Sequence, residues 1–532
     1  MTETRRDRAP GTTNPLVQRA YDAAMILTVI ALPFSNFLMS QGAFLMLLAW
    51  ALDRWKNGPL FRSRGWGFWQ TQLTFWAVIT LFAWLLIGQL WTTELQNGWT
   101  ALRIKLPLLA FPLVLITGRW DFKRGMRVVS YTLALSIAAA CLAVLWTGYQ
   151  SDSPLHAREW SPFISHIRFS LMIAFAWSWW FWIFIRQRAT RAGLICLFLS
   201  LLGGWVIWKT ASITGLLMVP LSGALVLWLE GLGGGTPRIA QIRFGLRLLG
   251  LSTCLLICIG GWNLKPTPPA PSEMLQTTAL GASYQHFPER CLRENGNPVW
   301  INVAWSELEA SWNAISGVSF DGPDGRNQEL KTTLIRFLTS KGLTKDAAGI
   351  HALSKGDIEH IEAGIPTILE FEHQGLRRRW DIIQFEIANW IDGGDPSGHS
   401  LVQRFEFLHA ACYVYHSHPL LGVGTGDLKR EFALAYVAID SPLQLPFRLR
   451  AHNQYVTFLI SGGPIALILW IAILVSLHFT QATIPERRAT LLFVLILGLS
   501  CLSEDTLETQ AGVTFAGLFI GLFGRRTKEK SL

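Results

Sequence analysis

The sequence predicts an all-α polytopic membrane protein with about 12 transmembrane helices. Of its 532 residues, 51% are hydrophobic and only 15% are charged. Apolar runs of about 20 residues recur along the chain, and a helix of that length crosses a hydrocarbon core of roughly 30 Å. A soluble protein of this size does not need so many runs of this kind. We therefore expect the chain to cross the membrane repeatedly.

Twelve segments have the apolar character of membrane spans. They lie near 20–34, 37–52, 69–91, 99–117, 128–148, 164–185, 192–208, 211–229, 246–262, 453–478, 489–503 and 510–523. The first two are short, and a re-entrant pair is an alternative interpretation of them.

Charged residues in the short connections predict the orientation of these spans. Basic residues gather at one set of ends, among them Arg6, Arg8, Arg54, Lys56, Arg119, Lys123, Arg186, Arg191, Arg243, Arg247, Arg487, Arg488, Arg525 and Arg526. The opposite short loops carry acidic residues such as Glu94, Glu504 and Asp505. Because Lys and Arg in short loops stay cytoplasmic, we expect both termini inside and residues 263–452 outside. The formal charge of +10 then reflects topology and gives no reason to expect a nucleic-acid partner.

This topology divides the chain into three parts. Residues 1–262 form a membrane domain with the first nine spans, and 453–532 carry the last three spans and a cytoplasmic tail. The outer segment 263–452 opens with a proline-rich linker and shows amphipathic helical patterns over about 299–392. We therefore expect a mostly helical outer domain inserted before the tenth span.

The cysteines do not predict a metal centre. The chain has seven of them, without metal-ligand spacing, and we expect neither a metal nor another cofactor. Cys291 and Cys412 fall in the outer segment, where a disulfide and two unpaired thiols both remain open.

The most informative candidate residues are His452 and Asn453, which stand where the outer segment re-enters the membrane just after Arg450. An imidazole at this boundary can accept a proton near neutral pH, and the Asn side chain can orient a hydroxyl group. The alternative interpretation is that the pair caps the first turn of the tenth span.

Two arginines are candidates for binding phosphate. Arg404 lies just before the segment His418–Gly426, and Arg168 lies with His166 at the outer end of the sixth span. A guanidinium group binds phosphate oxygens at two points and stays charged. A solvated helix charge is the alternative for Arg404, and extension to the lipid headgroups is the alternative for Arg168 and His166.

Further candidates are a glycine-rich segment and two lysines. Gly424 lies in the glycine-rich segment that begins at His418. This segment predicts a turn, either one whose amide groups face an anion or a simple turn after Pro419. Lys105 and Lys209 lie near the outer ends of the fourth and seventh spans, where ionisable residues line polar cavities or extend to the headgroups.

Between residues 400 and 470 the chain resembles the O-antigen ligase family, within the O-antigen ligase/polymerase superfamily of membrane glycosyltransferases. The resemblance is carried by Arg404, the segment His418–Gly426 and the pair His452 and Asn453. In the family, His-Asn is followed after nine residues by Gly, and after two more by Gly, Thr or Tyr. Gly463 fits the first of these positions, and Ala466 departs from the second. The segments 333–343 and 503–512 are also similar to one ligase-like subgroup.

The resemblance implies a GT-C-type fold and transfer of a glycan from an undecaprenyl diphosphate carrier to a hydroxyl of the lipid A-core. It implies reaction at the periplasmic face of the bacterial inner membrane, without metal or nucleotide hydrolysis. His452 is then the base or the group that orients the acceptor, and Arg404 and Arg168 hold the diphosphate. The expected substrate-binding residues are Asn453, Arg450, His418, Gly424, His166, Lys105 and Lys209.

Other functions remain open at this point. An O-antigen or exopolysaccharide polymerase and a protein O-glycosyltransferase belong to the same superfamily, and we favour the ligase. The alternative from another class is a flippase or transporter of the lipid-linked glycan, for which charged or broken-helix sites near mid-membrane are typical. The expected partners are the donor, the glycan acceptor and membrane lipid.

Overall fold

The computed structural model describes residues 15–57, 66–150, 160–210, 212–231, 245, 273–290, 292–372, 375–480 and 483–525. The chain forms two compact units. The membrane unit comprises Met1–Cys258, Phe407–Ile439 and Leu449–Leu532, and the inserted unit comprises Ile259–Glu406 and Asp440–Arg448.

The helices follow one another in this order: α1 (Pro15–Ala31), α2 (Asn36–Asn57), α3 (Trp66–Gln70), α4 (Leu73–Ile87), α5 (Leu95–Thr117), α6 (Phe122–Tyr149), α7 (His166–Gln187), α8 (Arg191–Thr210), α9 (Ile213–Gly231), α10 (Trp305–Ile315), α11 (Leu330–Ser340), α12 (Ala347–His351), α13 (Lys355–Glu362), α14 (Leu369–Glu372), α15 (Gly375–Ile391), α16 (Gln403–Ser417), α17 (Leu428–Ala438), α18 (Gln454–Ser476), α19 (Ile484–Ser503) and α20 (Gln510–Phe523). The strands β1 (Arg293–Glu294) and β2 (Asn297–Pro298) form an antiparallel pair.

The structure confirms an all-α membrane protein. Among the described residues, six helical segments are long and apolar enough to cross a membrane: Leu73–Leu90, Leu95–Thr117, Phe122–Tyr149, His166–Gln187, Arg191–Thr210 and Gln454–Phe479. Thr214–Glu230 and Gln510–Phe523 are shorter apolar helices. The count of 12 spans stays a prediction, and the expected span 246–262 and the proline linker lie outside the described residues.

Aromatic packing joins α7 to the last two helices of the membrane unit. The ring of Phe175 in α7 lies 5.8 Å from Phe493 of α19 and 4.7 Å from Phe519 of α20, between ring centroids. Edge-to-face pairs of this kind stabilise a fold by about 0.5–1.5 kcal/mol each beyond their buried area. This packing holds the middle of α7 against the middle of α19 and α20, and the turn between the last two helices carries the charged residues described below.

Helix α18 is broken at Gly462 and Gly463, whose backbone angles are not helical, just before Pro464. Proline has no amide hydrogen, so it cannot donate to the carbonyl of Ile460, four residues earlier. The amide of Val423 donates to that carbonyl instead, at 2.8 Å. An unpaired carbonyl in a membrane interior is costly, so the segment before α17 stabilises the break.

The same segment and α4 satisfy the next two carbonyls. The Gly424 amide donates to Ser461 at 3.0 Å, and Trp84 Nε1 donates to Gly462 at 2.7 Å. Gly463 has φ +68°, and a Cβ atom there would lie 2.1 Å from the Leu420 carbonyl oxygen. The two glycine-containing motifs of the sequence therefore pack against each other through their backbones.

The inserted unit has its own apolar core. The apolar face of α11, which lies within the predicted amphipathic region 299–392, is buried and packs with Val299, Trp312 and Ile361. The described part of this unit contains α10–α15, the first turn of α16, the β1–β2 pair, the short 3-10 helix Leu445–Phe447 and connecting turns. Residues 407–439 and 449–452, which we predicted within the outer segment, group with the membrane unit.

Candidate functional site

The turn between α19 and α20 brings three carboxylates into the membrane unit. Glu504, Asp505 and Glu508 flank or form the short 3-10 helix Thr506–Glu508, and all three side chains are buried. A buried charge is unfavourable unless it is paired, so the residues facing this turn decide what it can do.

Glu508 forms the tightest ion pair of the turn. Its Oε1 lies 2.6 Å from Lys105 Nζ of α5, and both side chains are only 6% exposed. Gln454 Nε2 donates to Glu508 at 3.2 Å. Burial opposes ionisation, but the charges of Lys105 and Arg450 outweigh it and hold the pKa of Glu508 below its ordinary value. Lys105 is thus fully engaged by the protein itself.

Asp505 connects the turn to α18 and to Arg450. Thr457 Oγ1 donates to Asp505 Oδ1 at 2.7 Å. Arg450 lies between two carboxylates, with Nε 3.5 Å from Asp505 Oδ2 and Nη1 3.5 Å from Glu508 Oε2. These distances are longer than the 2.6 Å of the Lys105–Glu508 pair. Arg450 is therefore held less tightly than Lys105 and can bind an incoming anion more easily.

Glu504 faces both an arginine and the predicted catalytic histidine. Its Oε2 lies 3.4 Å from Arg168 Nη1 and 3.6 Å from His452 Nδ1. Arg168 belongs to the first turn of α7, and its side chain is 13% exposed. The His452 side chain is 31% exposed. The structure therefore brings together an imidazole and a guanidinium group that the sequence places almost 300 residues apart.

The backbone at His452 is strained. Its φ is +47°, in the left-handed region that costs a residue other than glycine roughly 1–2 kcal/mol. The ring packs against Phe407, with 5.5 Å between ring centroids. Strained residues that persist often mark functional sites, because the surrounding structure must hold them in place.

Asn453 supplies that support. Its side-chain oxygen accepts hydrogen bonds from the amides of Tyr455 and Val456, at 3.0 and 3.1 Å, and caps α18. Its amide nitrogen donates to the carbonyl of Leu502 at 3.0 Å, at the end of α19. The capping interpretation therefore holds for Asn453, which fixes the backbone next to His452 and ties α18 to the acidic turn.

Three buried polar atoms in this cluster have no hydrogen-bond partner: His452 Nδ1, Arg168 Nε and Asp505 Oδ2. Buried groups of this type are rare in folded proteins and call for an explanation such as a water, an ion or a ligand. An imidazole, a guanidinium group and a carboxylate, each with one such atom, lie close together here. We refer to Lys105, Arg168, Arg450, His452, Glu504, Asp505 and Glu508 as the charged cluster.

Other predicted site residues lie apart from these contacts. Lys209 is exposed at the end of α8, with Nζ 5.1 Å from the centre of the Trp205 ring. His418 is exposed just after α16, and half-buried His166 begins α7, two residues before Arg168. Arg404 lies half-buried in the first turn of α16, within the inserted unit, and its role in binding diphosphate stays a prediction.

The structure gives Gly424 a packing role. Its φ is +95°, and its amide is already bonded to the carbonyl of Ser461. A Cβ atom at this position would lie 2.4 Å from Thr92 Oγ1, so only glycine fits. A role of this turn in binding an anion stays a prediction.

Sequence reasoning missed that the acids of the turn organise the site. For Lys105 we left a polar cavity and the headgroups open as surroundings, and the structure pairs it with Glu508 of the acidic turn instead. The available signal was three acids within a short connection between two apolar spans, where a loop in contact with water needs no such density. Within the described ranges, no group of three or more His, Cys, Asp or Glu residues is arranged to hold a metal ion. No protein-family model matches the chain, and no curated protein matches its sequence.

Proposed function

We propose that this protein transfers a glycan from an undecaprenyl diphosphate carrier to a hydroxyl of a lipid A-core sugar, at the periplasmic face of the bacterial inner membrane. The observation that carries the proposal is the shared contact of His452 and Arg168 with Glu504. A base for a hydroxyl group and a cation for a diphosphate lie there within reach of one substrate. The resemblance to the O-antigen ligase family supplies the substrate class.

In the proposed reaction, His452 removes the proton of the acceptor hydroxyl. The acceptor oxygen attacks the anomeric carbon of the donor, and the bond from that carbon to the phosphate oxygen breaks. Undecaprenyl diphosphate leaves with the bonding electron pair, and its added negative charge is offset by Arg168 and Arg450. Electrostatic stabilisation of a leaving group by fixed cations is a large contribution to catalysis. The resemblance also implies that Arg404 binds diphosphate.

The distances between the cations and their carboxylates indicate different roles for Lys105 and the two arginines. Lys105 is held by Glu508 at 2.6 Å, whereas Arg168 and Arg450 face their carboxylates at 3.4 and 3.5 Å. A guanidinium group binds phosphate oxygens at two points, so a diphosphate competes well for the two arginines. We therefore assign diphosphate binding to the arginines and a structural role to Lys105.

The broken helix α18 bears on the alternative of a flippase or transporter. Breaks of this kind in transporters leave backbone groups that coordinate the substrate. Here the carbonyls of Ile460, Ser461 and Gly462 all accept hydrogen bonds from the protein. This saturation favours a packed structural break and, with it, the transferase.

Reconstitution tests the proposal and its alternatives together. Purified protein in vesicles receives the lipid-linked glycan with a lipid A-core acceptor, a second lipid-linked glycan or a peptide, each with and without EDTA. We expect glycan on the lipid A-core, with EDTA present. Chain extension of the second lipid-linked glycan identifies a polymerase, and glycosylated peptide identifies a protein O-glycosyltransferase. Movement of the intact donor between leaflets without product indicates a flippase and contradicts the proposal.

A further inference from the structure

We propose that Glu504 is a positioning residue for His452: its carboxylate accepts the Nδ1 hydrogen and leaves Nε2 free to act as the base. This inference rests on the proposed function for its chemistry. Its geometric part, which nitrogen carries the hydrogen, stands on the structure alone and is tested separately below.

The nitrogen of His452 that faces Glu504 is Nδ1. His452 Nδ1 is buried, has no hydrogen-bond partner and lies 3.6 Å from Glu504 Oε2. A neutral imidazole carries its hydrogen on one of its two nitrogens, and the other nitrogen has a lone pair. A lone pair on Nδ1 would face the negative carboxylate, whereas a hydrogen on Nδ1 would point at an acceptor. The geometry therefore favours the tautomer with hydrogen on Nδ1.

The other nitrogen of the imidazole ring, Nε2, is the proposed base. Since Nδ1 is buried and the side chain is 31% exposed, the exposed part lies away from Glu504. In the Nδ1–H tautomer the lone pair is on Nε2, where it can accept the proton of a hydroxyl group. The distance of 3.6 Å is longer than a hydrogen bond, and catalytic contacts are often this loose before substrate binds.

Hydrogen bonds around the turn restrict the position of Glu504 and its carboxylate. Glu504 ends α19, and its amide donates to the carbonyl of Ser500 at 2.9 Å. Ser500 and Thr506 are hydrogen-bonded to each other through their hydroxyl groups at 2.7 Å, which closes the turn. The Asn453 side chain donates to the carbonyl of Leu502, which links the segment that carries His452 to the one that carries Glu504. A fixed acceptor beside a strained histidine holds one orientation of the ring.

Arg168 faces the same carboxylate oxygen, with its Nη1 3.4 Å from Glu504 Oε2. A diphosphate bound to Arg168 offsets the charge of the guanidinium group, so the carboxylate then interacts more strongly with the imidazole. The other charged members of the cluster are Arg450, Asp505, Glu508 and Lys105. Donor binding and activation of the base are coupled in this way through Glu504.

The first experiment measures the tautomer, with no substrate present. Full-length protein labelled with 15N-histidine is placed in lipid nanodiscs, and its spectrum is compared with that of His452→Asn to assign His452. We expect hydrogen on Nδ1 in the wild type. In Glu504→Leu, which has no acceptor, we expect hydrogen on Nε2. In Glu504→Asp, which keeps the carboxylate, the Nδ1–H form should persist. Hydrogen on Nε2 in the wild type, or the same tautomer in Glu504→Leu, overturns the inference.

The second experiment measures transfer kinetics. We expect Glu504→Leu to reduce kcat by roughly 10²-fold, below the loss for the buried orienting carboxylate of a catalytic triad, since this contact is longer. The KM for the acceptor should stay within about twofold, because Glu504 orients the base and does not bind the acceptor. Glu504→Asp should recover part of kcat, and the exposed control Glu309→Gln should match the wild type. Unchanged kcat in Glu504→Leu overturns the inference.

The two measurements separate the inference from the proposed function. A wild type without transfer, but with the tautomer responding to Glu504→Leu, contradicts the proposed function and leaves the positioning contact intact. Normal transfer with an unresponsive tautomer contradicts the inference alone. If Glu504→Leu does not fold, Glu504→Gln takes its place. Its amide can donate a hydrogen to Nδ1, and we expect it to move the imidazole hydrogen to Nε2.

Discussion

Replacing Lys105 by Met tests how the charged cluster is held together. Lys105 and Glu508 form a pair at 2.6 Å, and both side chains are 6% exposed. The Met side chain keeps the aliphatic length of Lys and removes the charge. Glu508 then remains buried, facing Arg450 at 3.5 Å and the Gln454 amide at 3.2 Å.

The magnitude follows from the uncompensated carboxylate. Removing one partner of a buried ion pair costs about 3–5 kcal/mol, because the other charge stays out of water. Since Arg450 and Gln454 still face Glu508, we expect Lys105→Met to cost about 3 kcal/mol, at the lower end of this range. The double variant Lys105→Met/Glu508→Gln removes both charges, and we expect it to recover at least about half of the loss.

The pH dependence of the free energy of unfolding has a defined sign. In the wild type the pKa of Glu508 is below its ordinary value of 4.5. A group with a lowered folded pKa contributes stability above its unfolded pKa and loses it as the pH falls through the folded value. In Lys105→Met, the largest opposing charge is gone, and we expect burial to outweigh Arg450 and Gln454 and to raise the folded pKa of Glu508. The deficit of the variant is then largest at neutral pH and shrinks as Glu508 becomes protonated on acidification.

Unfolding of the purified protein in detergent, followed at pH 7 and at about pH 5, measures these differences. The exposed Lys429→Met is the matched control, with an expected change within about 0.5 kcal/mol. The reasoning is refuted if Lys105→Met unfolds like this control, or if the double variant is no more stable than the single one.

Three further predictions follow from the backbone and from Arg168. Gly463→Ala places a Cβ atom 2.1 Å from a carbonyl oxygen at φ +68°, so it should lower the unfolding midpoint far more than Gly393→Ala, which has φ +81° and open space. His452→Gly should raise the free energy of unfolding by up to about 1 kcal/mol, because glycine relieves the strain at φ +47°, while transfer is lost; an unfolding midpoint below that of the wild type would contradict this. Arg168→Lys should raise the KM for the lipid-linked donor by about tenfold or more, because Lys cannot bind diphosphate at two points, and exposed Arg191→Lys should leave it unchanged; equal values in the two variants would count against diphosphate binding.

Among the described residues, the sequence predicted each of the six helices that are long and apolar enough to cross a membrane, because the length and hydropathy of a span are local properties. It also placed His452 and Asn453 at the start of a helix that enters the membrane, and α18 does begin at Gln454. Local patterns determine where a helix starts, and Asn is a favourable capping residue.

The partners of the charged residues were not predictable in the same way. Lys105 and Glu508 are 403 positions apart, and their pairing depends on how α5 packs against the turn after α19. Gly424 looked like part of an anion-binding turn, but its amide is used by a break in another helix that one motif alone does not reveal. A charge in a sequence predicts the need for a partner, and packing between distant helices selects it.

The central claim is that the imidazole of His452 carries out proton transfer in glycan transfer at the charged cluster. The most direct measurement compares His452→Asn with the exposed control His351→Asn in the reconstituted transfer assay. Asn tolerates the left-handed backbone at this position, so both variants should fold normally. The account predicts that His452→Asn loses roughly 10²-fold or more of its turnover while the control keeps it. Full transfer by folded His452→Asn would contradict the account.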